Sequence, residues 1–179
     1  MSKQLRSIEQ TSPVKMDRPV FDKPIKLLIV VSPDYQDIAD QLLAGATAEI
    51  KAVGGTYEVV LIPGVLEIPT AISIAHRMSN FDGFVALGCV IRGETNHPET
   101  AGGDIGHALQ LLGINGVCIG NGIFTVETRD QAMVRAQADG QNNGGGAAAA
   151  ALHLIALTRK WGKAPGKVGF LPDEEFKLA

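Results

Sequence analysis

Apolar residues occur along this chain in short blocks, and the spacing inside each block indicates the element it forms. Residues 25–31 (IKLLIVV) and 56–62 (TYEVVLI) read as strands. So does 83–91, where Val85, Ala86, Leu87, Cys89, Val90 and Ile91 run almost unbroken, the pattern of a strand buried on both faces of a parallel sheet. Residues 116–120 read as a fourth strand. Between the strands the period becomes helical. Ile38, Leu42, Leu43, Ala46, Ile50 and Val53 share one face of a helix over 36–53, which Gly54 and Gly55 stop. A second helix over 67–78 buries Ile68, Ala71, Ile72 and Ala75, and a third runs from near 104 to 112. Thr128, followed three residues later by Gln131, is a capping-box pattern that opens a fourth. The run QNNGGGAAAA predicts a break over 140–146 before a last helix over 147–160; it lacks the lysine and the spacing of a phosphate loop.

Strands alternating with helices predict an α/β sandwich around a short, four-stranded parallel sheet. The expected organisation is a single domain over 25–162, preceded by a polar arm with three prolines (1–24) and followed by a tail of Gly, Pro and charge (163–179). A length of 179 residues suits one such core.

Composition narrows the partners. A net charge of -3, with 45% hydrophobic and 20% charged residues, gives no reason to expect nucleic acid or an anionic membrane. No apolar run reaches the roughly 18 residues that span a bilayer. The start, MSKQLRSIEQTSP, lacks the apolar core of a secretory signal, so the expected location is the cytoplasm. Cys89 and Cys118 both sit in apolar, strand-like runs and read as buried free thiols; no pair of histidines or cysteines has metal-ligand spacing.

Parallel sheets bind ligands at the carboxyl ends of their strands, so chemistry is sought there. The first loop offers Asp34 and Tyr35. In the second, Gly64 lets backbone approach a ligand and Glu67 is either a ligand contact or a carboxylate favoured by a helix start. The third, RGETNH, ends on His97, which is either an acid-base group, since imidazole titrates near neutral pH, or a water-facing loop histidine. The fourth is a flexible edge at Gly120, Asn121 and Gly122. His76, His107 and His153 fall on helices as ordinary side chains, and Arg129 and Arg159 read as surface charge. Arg92 reads as a structural residue holding its own loop or as a ligand contact; Arg135 is either a fixed guanidinium for an anion or a solvated arginine.

Taken in order, PGVLEIPTAISIA (63–75), ALGCVIRGETNH (86–97), IGNGIFTVET (119–128) and QAMVRA (131–136) closely resemble the lumazine synthase family, over residues 25–157. The resemblance implies a flavodoxin-like three-layer sandwich. It also implies condensation of 5-amino-6-(D-ribitylamino)uracil with 3,4-dihydroxy-2-butanone 4-phosphate in riboflavin biosynthesis, with no metal or organic cofactor. The roles it carries over are Val65, Leu66 and Glu67 for the ribityl chain, Val90 and Ile91 for the pyrimidine, Glu94 and Thr95 for the phosphate, His97 for proton shuttling and Arg135 for phosphate grip. It further implies a pentamer or a shell of pentamers, with Asp34, Tyr35, Glu67 and His97 of one subunit meeting Asn121 and Arg135 of the next, and riboflavin synthase as a further partner. The chain departs from the family's pattern near the site. Asp34 and Asn121 stand where aromatics are common, Pro98 follows the histidine, and Asp139 and Asn143 replace lysines. Pro98, Asp34 and Asn143 motivate a second reading, a non-catalytic binding or shell-forming relative; a third, a flavodoxin-like flavin- or phosphate-binding module, fits the fold class but not the RGETNH loop.

Overall fold

The apolar blocks assemble into one sheet flanked by helices on both faces. The computed structural model describes residues 16–92 and 98–162. Strands β1 (Lys26–Val31), β2 (Thr56–Leu61), β3 (Gly83–Ile91) and β4 (Ile119–Val126) lie in the order β2-β1-β3-β4, and every pairing is parallel. The helices are α1 (Gln36–Ala52), α2 (Ile68–Met78), α3 (Pro98–Ile114), α4 (Arg129–Ala136) and α5 (Asn143–Trp161). This is the flavodoxin-like three-layer arrangement.

Sequence pattern and position in the sheet agree. β3, the unbroken apolar run, is interior and buried along its whole length. β2 is an edge and largely exposed, whereas β4, the other edge, alternates. Gly120, Gly122, Phe124 and Val126 of β4 are buried, Phe124 and Val126 in the cluster formed with α1, α4 and α5. Ile119 and Ile123 pack instead with Ile105 and Leu109 of α3 and Ile68 and Ile72 of α2 on the opposite face. Such two-sided burial of aliphatic side chains is the main stabilising term of the fold. Before β1, Arg18 pairs with Glu49 of α1 at 2.8 Å. Arg159 of α5 donates to the carbonyls of Lys23 and Pro24, at 2.8 Å each.

Three expected elements are corrected. β4 runs over Ile119–Val126 rather than 116–120. Gly116 turns the chain at φ +92°, whereas Gly120 is a strand residue that lies against α5: a Cβ there would be 1.7 Å from the Ala147 carbonyl oxygen. The break before the last helix falls at 137–142 rather than 140–146, and the three consecutive glycines are helical. α5 begins at Asn143, because Asn142, at φ 53°, caps it by accepting a hydrogen bond from the Gly145 N–H at 3.0 Å. Gly144 and Gly145 are then buried in its first turn, and a Cβ at Gly144 would meet the Leu42 carbonyl oxygen of α1 at 1.9 Å. α3 spans Pro98–Ile114, not 104–112. Its glycines dilute the helical signal, and a proline is tolerated in a first turn, where its missing N–H has no intrahelical partner to lose.

The capping box is present in a shifted form. Thr128 Oγ1 accepts the Gln131 N–H at 3.3 Å, while Gln131 Oε1 reaches back to the Glu127 N–H at 3.0 Å, one residue before the cap. Cys89 and Cys118 are both buried. Among the described residues no helix is long and apolar enough to cross a membrane.

Candidate active site

The carboxyl ends of the four strands form one rim, and most of the residues singled out above lie on it. The Ser32 N–H donates to the Leu87 carbonyl at 3.1 Å, continuing the β1–β3 ladder one residue past β1, and the Ser32 hydroxyl donates to the Asp34 carboxylate at 2.8 Å. Asp34 is exposed at the first loop, with its charge turned back on its own turn. Tyr35 starts α1, partly buried against the core, with the Arg129 guanidinium 5.6 Å from its ring centroid. Arg129 also donates to Asp37 at 2.6 Å, so it links the starts of α4 and α1; sequence reading gave it only surface charge.

After β2, Pro63 and Gly64 lead into a single 3-10 turn, Val65–Glu67, that passes directly into α2. Two glycines shape this loop. A Cβ at Gly88 of β3 would be 2.6 Å from Val65 Cγ1, so the bare backbone of β3 receives the Val65 side chain and draws the loop over the sheet end. A Cβ at Gly64 would be 2.8 Å from Glu67 Oε2, so the carboxylate folds back over its own loop. Leu66 is exposed on the rim. Val90 and Ile91 are 3% and 2% exposed, so their side chains belong to the core, and their backbone is what this end of β3 offers a ligand.

Arg92 follows β3; its N–H bonds the Val126 carbonyl at 2.9 Å and its guanidinium donates to Glu127 at 2.8 Å, fastening the ends of β3 and β4 together. That is the structural role open to Arg92 in the sequence. Glu94, Thr95 and His97 lie outside the described residues.

Asn121 does not lie beyond a strand end, and Arg135 lies on α4. Asn121 is within β4, in register with Ala86 rather than beyond a strand end, exposed on the outer edge, where its Oδ1 accepts the Ile123 N–H at 2.9 Å. It lines a groove of about 510 Å³ along the sheet edge, with Leu109 and Ile114 of α3 and Leu157 and Trp161 of α5. Arg135 is in the last turn of α4, facing a cavity of about 420 Å³ that it shares with Asp130, Gln131, Val134 and Gln141. Gln131 was legible in the sequence only as a capping-box residue and Gln141 only as part of the glycine-rich run, so neither was signalled at this cavity.

Arg135 differs from its counterparts. Arg18, Arg92, Arg129 and Arg159 each pair with a carboxylate, and Arg77 bonds the Ser73 carbonyl. Among the described residues the Arg135 guanidinium has neither an ion pair nor a hydrogen bond; its partner is the face of Phe124, 5.9 Å from ring centroid to guanidinium carbon. A cation with an unused N–H fork at a cavity mouth is suited to an anionic oxygen.

The rim, the loops and the motifs can be set beside known proteins. A relative from Jannaschia sp. (strain CCS1), a 6,7-dimethyl-8-ribityllumazine synthase, is 55% identical over 161 residues, 90% of each chain. The protein of that name from Novosphingobium aromaticivorans is 48% identical over 136 residues, 76% of this chain and 98% of its own. That from Bartonella henselae is 48% identical over 144 residues, 79% of this chain and 93% of its own. With the model of 6,7-dimethyl-8-ribityllumazine synthase matching residues 24–159 as well, the chain belongs to the lumazine synthase family.

Proposed function

We propose that this protein is a 6,7-dimethyl-8-ribityllumazine synthase, the enzyme that joins 5-amino-6-(D-ribitylamino)uracil to 3,4-dihydroxy-2-butanone 4-phosphate. The observation that carries this reading is the 55% identity, across 90% of both chains, to a relative bearing that name. In the reaction the pyrimidine's primary amine adds to the ketone and water leaves as an imine forms. Phosphate is then eliminated, and the ribityl-bearing nitrogen closes the second ring with loss of a second water. No redox step is required. Much of the acceleration comes from holding two reactants in one orientation, with acid-base help at each proton transfer.

The residues divide this work. Val65, Leu66 and Glu67 take the ribityl chain, with the carboxylate over Gly64 accepting from its hydroxyls. The backbone of Val90 and Ile91 reads the edge of the pyrimidinedione, with Asp34 and Tyr35 beside the ring. Glu94 and Thr95 hold the phosphate from the third loop, and His97 moves protons. Asn121 and Arg135 act from a second copy. The groove at the β4 edge, which Asn121 lines, supports this: Ile114 and Trp161, 78% and 71% exposed, are large apolar side chains of the kind a neighbouring subunit covers. We infer a pentamer, alone or packed into an icosahedral shell, acting in the cytoplasm with riboflavin synthase as a further partner.

The test is turnover with both substrates, followed by absorbance of the lumazine product, together with the mass of the assembly in solution. Turnover by a stable monomer would remove the shared site from the proposal. His97→Ala is expected to lower turnover by about ten- to a hundredfold with melting unchanged, because one acid-base group is lost while proximity survives. An unaltered rate would make His97 a plain loop residue.

One observation favours a second reading, a non-catalytic relative that keeps the assembly and the pocket. At the two positions where aromatics are common in the family, Asp34 is held by Ser32 and Asn121 by the Ile123 N–H, so neither side chain offers a stacking face. Binding of the pyrimidine substrate with no product formed would establish that reading.

A further inference from the structure

The contact between Arg135 and Phe124 has its own chemistry. At 5.9 Å the guanidinium lies within the roughly 6 Å over which an aromatic ring's quadrupole attracts a cation. Phe124 is 9% exposed and held by β4, in register with Cys89 of β3. Its core cluster includes Ala132 and Ala136 of α4, both fully buried. Alanines one turn apart let α4 lie close to the sheet, and Arg135, beside Ala136, then extends over the ring. A carboxylate partner would occupy the N–H fork, as Glu127 does at Arg92 and Asp37 at Arg129. A ring face attracts the charge and leaves the fork unused. Asp130 also lines the cavity but makes no ion pair with Arg135.

We propose that Phe124 is a positioning residue for Arg135, holding its guanidinium by the face so that the N–H fork stays open to the phosphate of the ketone substrate. This rests on the reading of Arg135 as a phosphate ligand, and it adds a specificity element built from the core side of the sheet. Asp139 and Asn143 stand where the family commonly has lysines, so phosphate binding on this side depends the more on how well one cation is oriented.

The experiment is steady-state kinetics of Phe124→Leu, which keeps a buried apolar side chain and removes the ring. The KM for the phosphorylated ketone should rise about three- to tenfold, and inhibition by inorganic phosphate should weaken by a similar factor. The KM for the pyrimidine and kcat at saturation should hold. Phe124→Tyr, which keeps the π face, should restore the parent KM, and in an Arg135→Ala background Phe124→Leu should add nothing. If Phe124→Leu does not melt cooperatively, Phe124→Met, unbranched and still apolar, carries the same expectation. An unchanged ketone KM in Phe124→Leu, or an equal rise for both substrates, overturns the proposal while Arg135→Ala still shows its selective defect. If Arg135→Ala itself leaves the ketone KM unchanged, the reading of Arg135 falls, and this proposal falls with it.

Discussion

Gly144→Ala is expected to destabilise the fold by about 3 kcal/mol, and Gly146→Ala, two residues along the same helix, to stabilise it by roughly 0.5–1 kcal/mol. The opposite signs come from what each new methyl group meets. A Cβ at Gly144 would stand 1.9 Å from the Leu42 carbonyl oxygen, so α5 has to move away from α1, and the displaced partner is backbone rather than a side chain able to rotate. At Gly146 nothing lies within 4 Å, and the alanine only restricts the unfolded chain and favours the helix. Gly120 belongs with Gly144, since a Cβ there would be 1.7 Å from the Ala147 carbonyl oxygen and would push the other side of α5 off the sheet. Thermal and urea unfolding check this directly. A loss of 3 kcal/mol in a chain of 179 residues is a fall in melting temperature of roughly 10 °C. A Gly144→Ala protein as stable as its parent would mean that α1 and α5 do not pack through these glycines.

Those glycines also explain where sequence reading succeeded and where it stopped. The order of strands and helices was legible because interior parallel strands such as β3 must be apolar on both faces, and because Ile38, Leu42, Ala46 and Ile50 of α1 repeat at the period of a buried helical face. Glycine carries two meanings that local sequence does not separate. Gly54 and Gly116 adopt positive φ and end helices, the first as the sequence suggests and the second where a strand was expected. Gly120, Gly122 and Gly144 serve close approach between elements distant in sequence, and Gly145 makes room for the Asn142 cap, so β4 and α5 were placed too short from pattern alone. The same limit applies to the site. Loops at strand ends could be identified as a rim from topology, which is why Asp34, Tyr35 and Glu67 gather there. Asn121 looked like a loop residue because glycines flank it, yet those glycines are strand residues, and it faces the outer edge. The pairing of Arg129 with Asp37 and Tyr35, and of Arg92 with Glu127, joins residues far apart in the chain, which no local spacing records.

Arg135→Ala should raise the KM for 3,4-dihydroxy-2-butanone 4-phosphate by about ten- to a hundredfold and change the KM for the pyrimidine substrate little. A charge-assisted contact of this kind is worth about 1.5–3 kcal/mol, and among the described residues lining the cavity no second cation replaces it. The other described arginines are committed to carboxylates or a carbonyl, and Asp130 and Asp139 bring negative charge to the same helix and the turn after it. Removing the Arg135 guanidinium, the one unpaired among the described residues, therefore leaves a cavity edge that opposes a phosphate rather than a neutral one. Arg135→Lys separates charge from geometry. An ammonium keeps the positive charge but has no planar fork to meet two phosphate oxygens at once, so its ketone KM should fall between those of the parent and the alanine variant. Raising ionic strength should weaken ketone binding in the parent more than in Arg135→Ala, because the variant has already lost the attraction that salt screens. Equal weakening toward both substrates, with the salt dependence intact, would make Arg135 a structural residue of α4, and the phosphate would then be held by the third loop alone.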